Sequence, residues 1–136
     1  MNIVISDPKT RRAYAKTVEQ MPFQGKKLGD EVDLSEIGLD GYKGTLTGGS
    51  DKTGTPMMAR FPGTARKKLL VYPGIGFRKG EKGERRKRPM RGNVVATDIH
   101  QLNVKLTAYG TMDLEATLGK PKEEKKEDKK EEKAKA

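Results

Sequence analysis

Asp51 and Lys52 stand side by side in a ten-residue stretch, residues 48–57, that also holds three glycines and a proline. A carboxylate beside a lysine could attack a phosphate, and glycines beside a lysine could cradle one. A phosphate-cradling P-loop needs Lys and then Ser or Thr directly after its last glycine. Here Gly54 is followed by Thr and Pro, so the stretch does not fit a P-loop.

The string from Asp51 to Thr55, Asp-Lys-Thr-Gly-Thr, is similar to the aspartate motif that P-type ion pumps phosphorylate. That motif follows an apolar strand in a large protein with membrane helices and metal-binding aspartates. In this chain of 136 residues it follows Gly-Gly-Ser. Because a motif without its structural context carries little weight, we expect no phosphoryl transfer here.

A structural role for residues 48–57 is the alternative. Glycine reaches backbone conformations with positive φ and lets another backbone approach closely, while proline fixes its own φ. We therefore expect a loop of defined shape at a corner of the β-barrel that is predicted below, in which Asp51 caps a turn and Met57 packs beneath it. Direct contact with a phosphate through the loop backbone, or through Lys52, remains open beside this. The loop-shaping set is Gly48, Gly49, Asp51, Gly54, Pro56 and Met57.

The positive charge is concentrated in one window. Residues 60–91 hold twelve Lys and Arg against two Glu, whereas the rest of the chain carries seventeen basic and seventeen acidic residues. Such a cluster predicts binding to a polyanion, because Lys and Arg release the counterions of phosphates. A solvated loop, a nuclear localisation signal or a membrane-surface patch could share the composition, although no amphipathic apolar stripe supports the last.

Residues 77–92 have almost no apolar content, so we expect an exposed arm that is mobile when free. Arginine outnumbers lysine in the charged window, and its planar guanidinium can bridge phosphate oxygens or stack on a base. Tyr72 and Phe77 alone could stack on bases nearby, which favours contacts to the backbone of a folded RNA. The predicted phosphate-contacting residues are Arg78, Lys79, Arg85, Arg86, Lys87, Arg88 and Arg91, with Arg66, Lys67, Lys68 and Lys52 as secondary candidates.

Other classes of site have little support in the composition. The chain has no Cys and one His, His100, which we interpret as a strand residue, so neither a disulfide nor a metal site is expected. We expect no cofactor, no small-molecule substrate and no catalysis, because no catalytic pair or triad is visible. There is no apolar run of membrane-spanning length and no leader pattern, so we expect no membrane partner and a cytoplasmic location.

One body, residues 1–119, and a Lys/Glu-rich tail, residues 120–136, are the expected domains; the tail should be disordered or a fraying helix. The body is predicted to be mainly β, a small closed or partly closed barrel with one or two short helical turns, because short β-branched runs alternate with glycine. One helical turn is expected at 34–38, after a turn and strand at 29–33. The other predicted strands are 2–6, 12–18, 42–47, 68–72, 93–97 and 101–108.

Three segments together resemble one known family. The string Gly-Gly-Ser-Asp-Lys-Thr-Gly-Thr-Pro-Met at 48–57, the basic run at 83–92 and the segment 99–106 with Leu102-Asn103 are similar, in order and spacing, to the small-subunit ribosomal protein six family of archaea and eukaryotes. The bacterial protein of the same number is unrelated. The resemblance covers residues 1 to about 119.

This resemblance implies a structural protein of the small ribosomal subunit, bound to ribosomal RNA and to neighbouring ribosomal proteins. A non-resident RNA chaperone or translation-associated RNA-binding module is the alternative. Eukaryotic relatives carry a long basic helix that ends in phosphorylated serines, whereas this chain has no Ser or Thr after Thr117. We therefore expect the short archaeal form, without phosphorylation at that end.

Overall fold

The computed structural model describes residues 1–119 and consists mainly of β-strands. The predictions for the tail, residues 120–136, lie outside the described residues. A 3₁₀ turn covers Leu34–Ile37, and a short helix, α1, covers Leu114–Leu118. The strands are β1 Asn2–Asp7, β2 Arg12–Thr17, β3 Glu31–Asp33, β4 Lys43–Asp51, β5 Arg66–Val71, β6 Arg86–Arg91 and β7 Ile99–Ala108.

Five strands form one sheet in the order β2-β1-β7-β4-β3, in which β1 and β7 run parallel and the other pairs antiparallel. Residues at every second position of a strand point to the same face. Leu102, Val104 and Leu106 of β7 are accordingly buried, as are Ile3 and Ile5 of the adjacent β1. These side chains form the centre of the main hydrophobic core. Strand β7 lies in the middle of the sheet and is the strand that the sequence predicts most clearly.

Strands β5 and β6 form a separate antiparallel pair, here called the basic ribbon, residues 66–71 and 86–91. A second, small core stabilises it, built from Val71, Phe77 and Met90 with Met58 and Leu69 packed against it. Backbone hydrogen bonds join the ribbon to the segment after β4: the Arg91 N–H donates to the Pro56 carbonyl at 3.0 Å, and the Met58 N–H donates to the Arg91 carbonyl at 2.9 Å.

The prediction of a closed or partly closed barrel is wrong, because both sheets are open. In residues 1–119 the two edge strands of the large sheet, β2 and β3, do not pair with each other. The two strands of the ribbon pair with each other, and within residues 1–119 neither strand pairs with a strand of the large sheet, although Arg91 forms a single bridge with Met57. Its strands are largely cationic and exposed, so they have little apolar surface to add to the large sheet. The edges are instead protected by charge, since β2 carries Arg12 and Lys16 and the three-residue β3 carries Glu31 and Asp33.

Two further predictions differ from the structure. The segment 77–92, expected to be a mobile arm, includes β6 and buries Phe77 and Met90, which are 3% and 0% exposed. The segment 93–97, expected to be a strand, is irregular, although Val95 is buried in the main core. The two short helical elements agree with the prediction of one or two helical turns, although no position was predicted for α1. The predicted turn at Leu34–Ile37 ends at Gly38, whose φ of 80° suits glycine.

Candidate nucleic-acid interface

The glycine-rich stretch begins as strand rather than as loop. Gly48, Gly49 and Ser50 still pair with β7, with irregular register on either side. Gly49 lies tightly against its neighbours: a Cβ built there would lie 2.5 Å from the Gln101 carbonyl oxygen and 3.1 Å from the Met57 sulfur. The turn itself follows at 52–55, where Gly54 has a φ of +81°. Residues 48–57 thus combine a close strand contact with a tight turn.

Gly49→Ala should destabilise the fold by about 1 to 3 kcal/mol, the usual cost of overpacking, because the Gln101 carbonyl cannot move without disturbing the sheet. The measurement is urea unfolding followed by circular dichroism. Gly48→Ala is the matched control, since a Cβ there meets nothing within 4 Å. Equal stability of the two variants would contradict the close-contact role of Gly49.

Asp51 holds the turn together from a buried position, 4% exposed. One carboxylate oxygen accepts hydrogen bonds from the Thr53 backbone N–H at 2.7 Å, the Thr53 hydroxyl at 2.6 Å and the Thr55 N–H at 3.4 Å. Burial raises the pKa of Asp51, but these hydrogen bonds and the charge of Arg66 outweigh burial, so that its pKa lies below the ordinary value. A carboxylate that is so fully engaged is poorly placed to attack a phosphate, which argues against aspartyl-phosphate chemistry.

Arg91 is buried as well, 4% exposed, unlike the rest of the basic cluster. Its guanidinium donates two hydrogen bonds to Asp98, one of them at 2.6 Å, and lies 3.7 Å from the second oxygen of Asp51. The hydrogen bonds that Arg91 donates are the main reason that the pKa of Asp98 is lowered. Arg91 was predicted to contact phosphate; its burial between two carboxylates favours a structural role instead.

Arg66 joins the same network from the ribbon. Its guanidinium lies 3.2 Å from Asp51 and also contacts the Thr53 hydroxyl, while its side chain remains 47% exposed. Arg66 can therefore hold the turn and still face solvent. Lys52, within the turn, is exposed.

The remaining predicted cations lie on the surface of the basic ribbon and its connecting loop. They are Lys67, Lys68, Arg78, Lys79, Arg85, Arg86, Lys87 and Arg88, and all are exposed. Within the described residues, Arg86 is the one member of this set in an ion pair, with Glu84 at 2.5 Å. The strand pairing therefore displays a dense positive surface on an ordered scaffold, where the sequence predicted a mobile arm.

The two aromatic residues of this region differ in position. Phe77 is buried in the ribbon core, and the guanidinium carbons of Arg86 and Arg88 lie 5.4 and 5.7 Å from its ring centre. Tyr72 is 57% exposed, with the guanidinium carbon of Arg85 4.8 Å from its ring centre. Of the two stacking candidates, only Tyr72 is accessible to a base, whereas the buried ring of Phe77 packs against Arg86 and Arg88.

A groove of about 740 Å³ runs between the glycine-rich turn and the basic ribbon. It is lined by the turn at 53–56, by residues 74–76 and by Arg78, Arg88 and Pro89. The fold thus brings the turn together with Arg78 and Arg88, which lie more than twenty residues away in the sequence. Two arginines in one groove with a glycine-rich turn suit a phosphate backbone, since arginine can bridge two phosphate oxygens.

Residues 1–119 contain neither a cluster of metal-ligating side chains nor a helix that could span a membrane. No three residues among His, Cys, Asp and Glu come together in a way that could hold a metal ion there. Across that same part of the chain, no helix is long and apolar enough to cross a membrane.

Comparison of the sequence with known proteins identifies its family. The sequence model described as "Ribosomal protein S6e" matches residues 1–119. The chain belongs to the ribosomal protein S6e family. Small ribosomal subunit protein eS6 of Methanoregula boonei is 45% identical over 118 residues, which cover 85% of this chain and 82% of that protein. The protein of the same name from Methanocorpusculum labreanum is 48% identical over 79% of this chain and 86% of its own length, and that of Archaeoglobus fulgidus 44% identical over 90% and 97%.

Membership of the S6e family confirms the resemblance drawn from residues 48–57, 83–92 and 99–106. All the relatives named here are archaeal, as expected for the short form. Sequence reasoning missed Asp98, because nothing nearby in the chain marks it as the partner of Arg91. It also left Arg60 and Lys82 out of the candidate set, although both are exposed members of the charged window.

Proposed function

We propose that this protein is a structural component of the small ribosomal subunit that binds ribosomal RNA through its basic ribbon and glycine-rich turn. The observation that carries the proposal is the exposed positive surface: of the twelve cations at 60–91, only Arg91 is buried. Membership of a ribosomal protein family supports ribosomal RNA as the partner. The exposed cations and the groove beside the glycine-rich turn are the surface that would bind it.

The proposed contacts are of two kinds. Exposed side chains of the ribbon and its loop neutralise phosphates, and Arg78 with Arg88 fixes a phosphate against the glycine-rich turn. Asp51, Gly49, Arg66 and Arg91 act indirectly, by holding that turn against the ribbon. Such a protein has no catalytic role, resides with the subunit in the cytoplasm and lies beside other ribosomal proteins.

The test is sedimentation of a cell lysate followed by crosslinking of the purified small subunits and mass spectrometry. A resident protein should occur once per subunit, with adducts between residues 78–88 and one confined region of small-subunit ribosomal RNA. A free RNA chaperone uses the same kind of surface, but it would be substoichiometric and crosslinked to scattered RNAs. That result would reject the structural role while retaining RNA binding.

A further inference from the structure

An apolar patch interrupts the positive surface of the ribbon. Leu70, Tyr72 and Ile75 are large apolar residues that lie within six positions, and each is 57% exposed. Single exposed apolar side chains are ordinary, but neighbouring ones that share a concavity indicate a contact surface. These three line a groove of about 630 Å³, which Met58, Ala59 and Arg60 line as well.

Three cations lie in or beside this apolar groove. Arg60 is one of its lining residues, and none of the residues that line it is acidic. Leu70 pairs with Lys87 across the ribbon. The guanidinium of Arg85 lies over the Tyr72 ring at 4.8 Å. The groove therefore has an apolar and aromatic floor, and the three cations Arg60, Arg85 and Lys87 are here called its rim.

We propose that this groove takes up one unpaired nucleotide of the bound RNA, with its base stacked against Tyr72 and its phosphate facing Arg60. The inference rests on the proposed RNA binding and adds a base contact to it. A nucleotide combines a flat, largely apolar base with a negatively charged phosphate, which matches both the floor and the rim of the groove. An apolar protein segment would match the floor but would leave the cations of the rim without partners.

The surroundings of Tyr72 favour a base in particular. Unpaired RNA bases are commonly stacked on tyrosine rings or on guanidinium planes, and here a tyrosine and an arginine already lie one over the other. Tyr72 follows directly after β5, and the pairing of β5 with β6 fixes the backbone that leads to it. The position of the tyrosine backbone is therefore set before RNA binds. Stacking needs no particular base, so we expect a requirement for an unpaired nucleotide more than for a sequence.

The test compares two RNA hairpins that share the same stem sequence and the same loop, so that they differ only in the stem: one stem is fully paired, and the other carries a single unpaired 2-aminopurine. Affinities of the full-length protein and its Tyr72→Ala and Tyr72→Phe variants are measured by filter binding over a range of salt. Tyr72→Ala should weaken binding to the bulged hairpin by about 5- to 150-fold, the range found when a stacking aromatic is removed. Binding to the paired hairpin and the salt dependence should stay unchanged, and Tyr72→Phe should bind both hairpins like the original protein.

The controls distinguish failure of this inference from failure of the proposed function. If the original protein binds both hairpins with a steep salt dependence and Tyr72→Ala changes neither affinity, the base contact is rejected and RNA binding stands. If the original protein binds neither hairpin, nor a transcript of archaeal small-subunit ribosomal RNA, the proposed function itself is rejected. Equal losses on the two hairpins would also reject the base contact, because they would mean a general effect on the ribbon.

Discussion

Replacing the four cations at 85–88 with alanine is expected to lower the affinity for small-subunit ribosomal RNA by orders of magnitude at low salt and to flatten its salt dependence. Each phosphate contact that is lost should reduce the log-log slope by about 0.7 to 0.9, so the total change approaches ~3 if all four side chains touch phosphates. All four are exposed, and only Arg86 has an ion-pair partner within the described residues. The slope is measured by filter binding in increasing KCl.

A second quadruple variant controls for net charge. Replacing the lysines at 26, 27, 43 and 105 with alanine removes the same charge from exposed positions outside the ribbon. If electrostatic attraction depends on the ribbon, this control should change the slope much less. Equal slopes for the two variants would mean that the ribbon is a solvated surface and that RNA is attracted by total charge alone.

The sequence predicts best where a local pattern decides the structure. Alternation in Leu102-Asn103-Val104-Lys105-Leu106 predicts a half-buried strand, and β7 is the central strand of the large sheet. The turn at 34–37 and the concentration of charge at 60–91 are likewise visible without coordinates. Each of these depends on residues that are close together in the chain.

The order of residues 77–92 could not be predicted in the same way. Composition makes this segment look unable to fold, because its apolar content is close to nil. Its strand β6 is held by cross-strand pairing to β5 and by a core in which Val71 comes from a different strand. The barrel prediction failed for a related reason: short strands and glycines indicate a β domain, but they do not show which edges meet.

Arg91 illustrates why a cluster of like residues should not be given one role. In the sequence it is the last of several arginines, yet its side chain is buried between Asp51, forty positions earlier, and Asp98. Neither carboxylate is marked as its partner by spacing. Arg88, three residues earlier on the same strand, is exposed and lines the groove beside the glycine-rich turn. The two arginines should therefore respond differently to the same substitution.

Arg91→Met is expected to destabilise the protein by about 1.5 to 3 kcal/mol, because it removes the hydrogen bonds to Asp98 and one of the two cations near the buried carboxylate of Asp51. This loss is a large fraction of the total stability of a small domain. Urea unfolding followed by circular dichroism measures it. Arg88→Met is the matched control and should change stability by less than about 0.5 kcal/mol, as is usual for an exposed position.

In RNA binding, Arg88→Met should have the larger effect of the two variants, the reverse of their effects on stability. Arg88→Met should reduce the log-log salt slope by about 0.7 to 0.9, the value of one phosphate contact. Arg91→Met, measured at a temperature where it remains folded, should keep the original slope, because a buried guanidinium releases no counterion from RNA. A reduced slope for folded Arg91→Met would return Arg91 to the phosphate-contacting set. Unchanged stability would mean that Asp51 and Asp98 hold the turn without it.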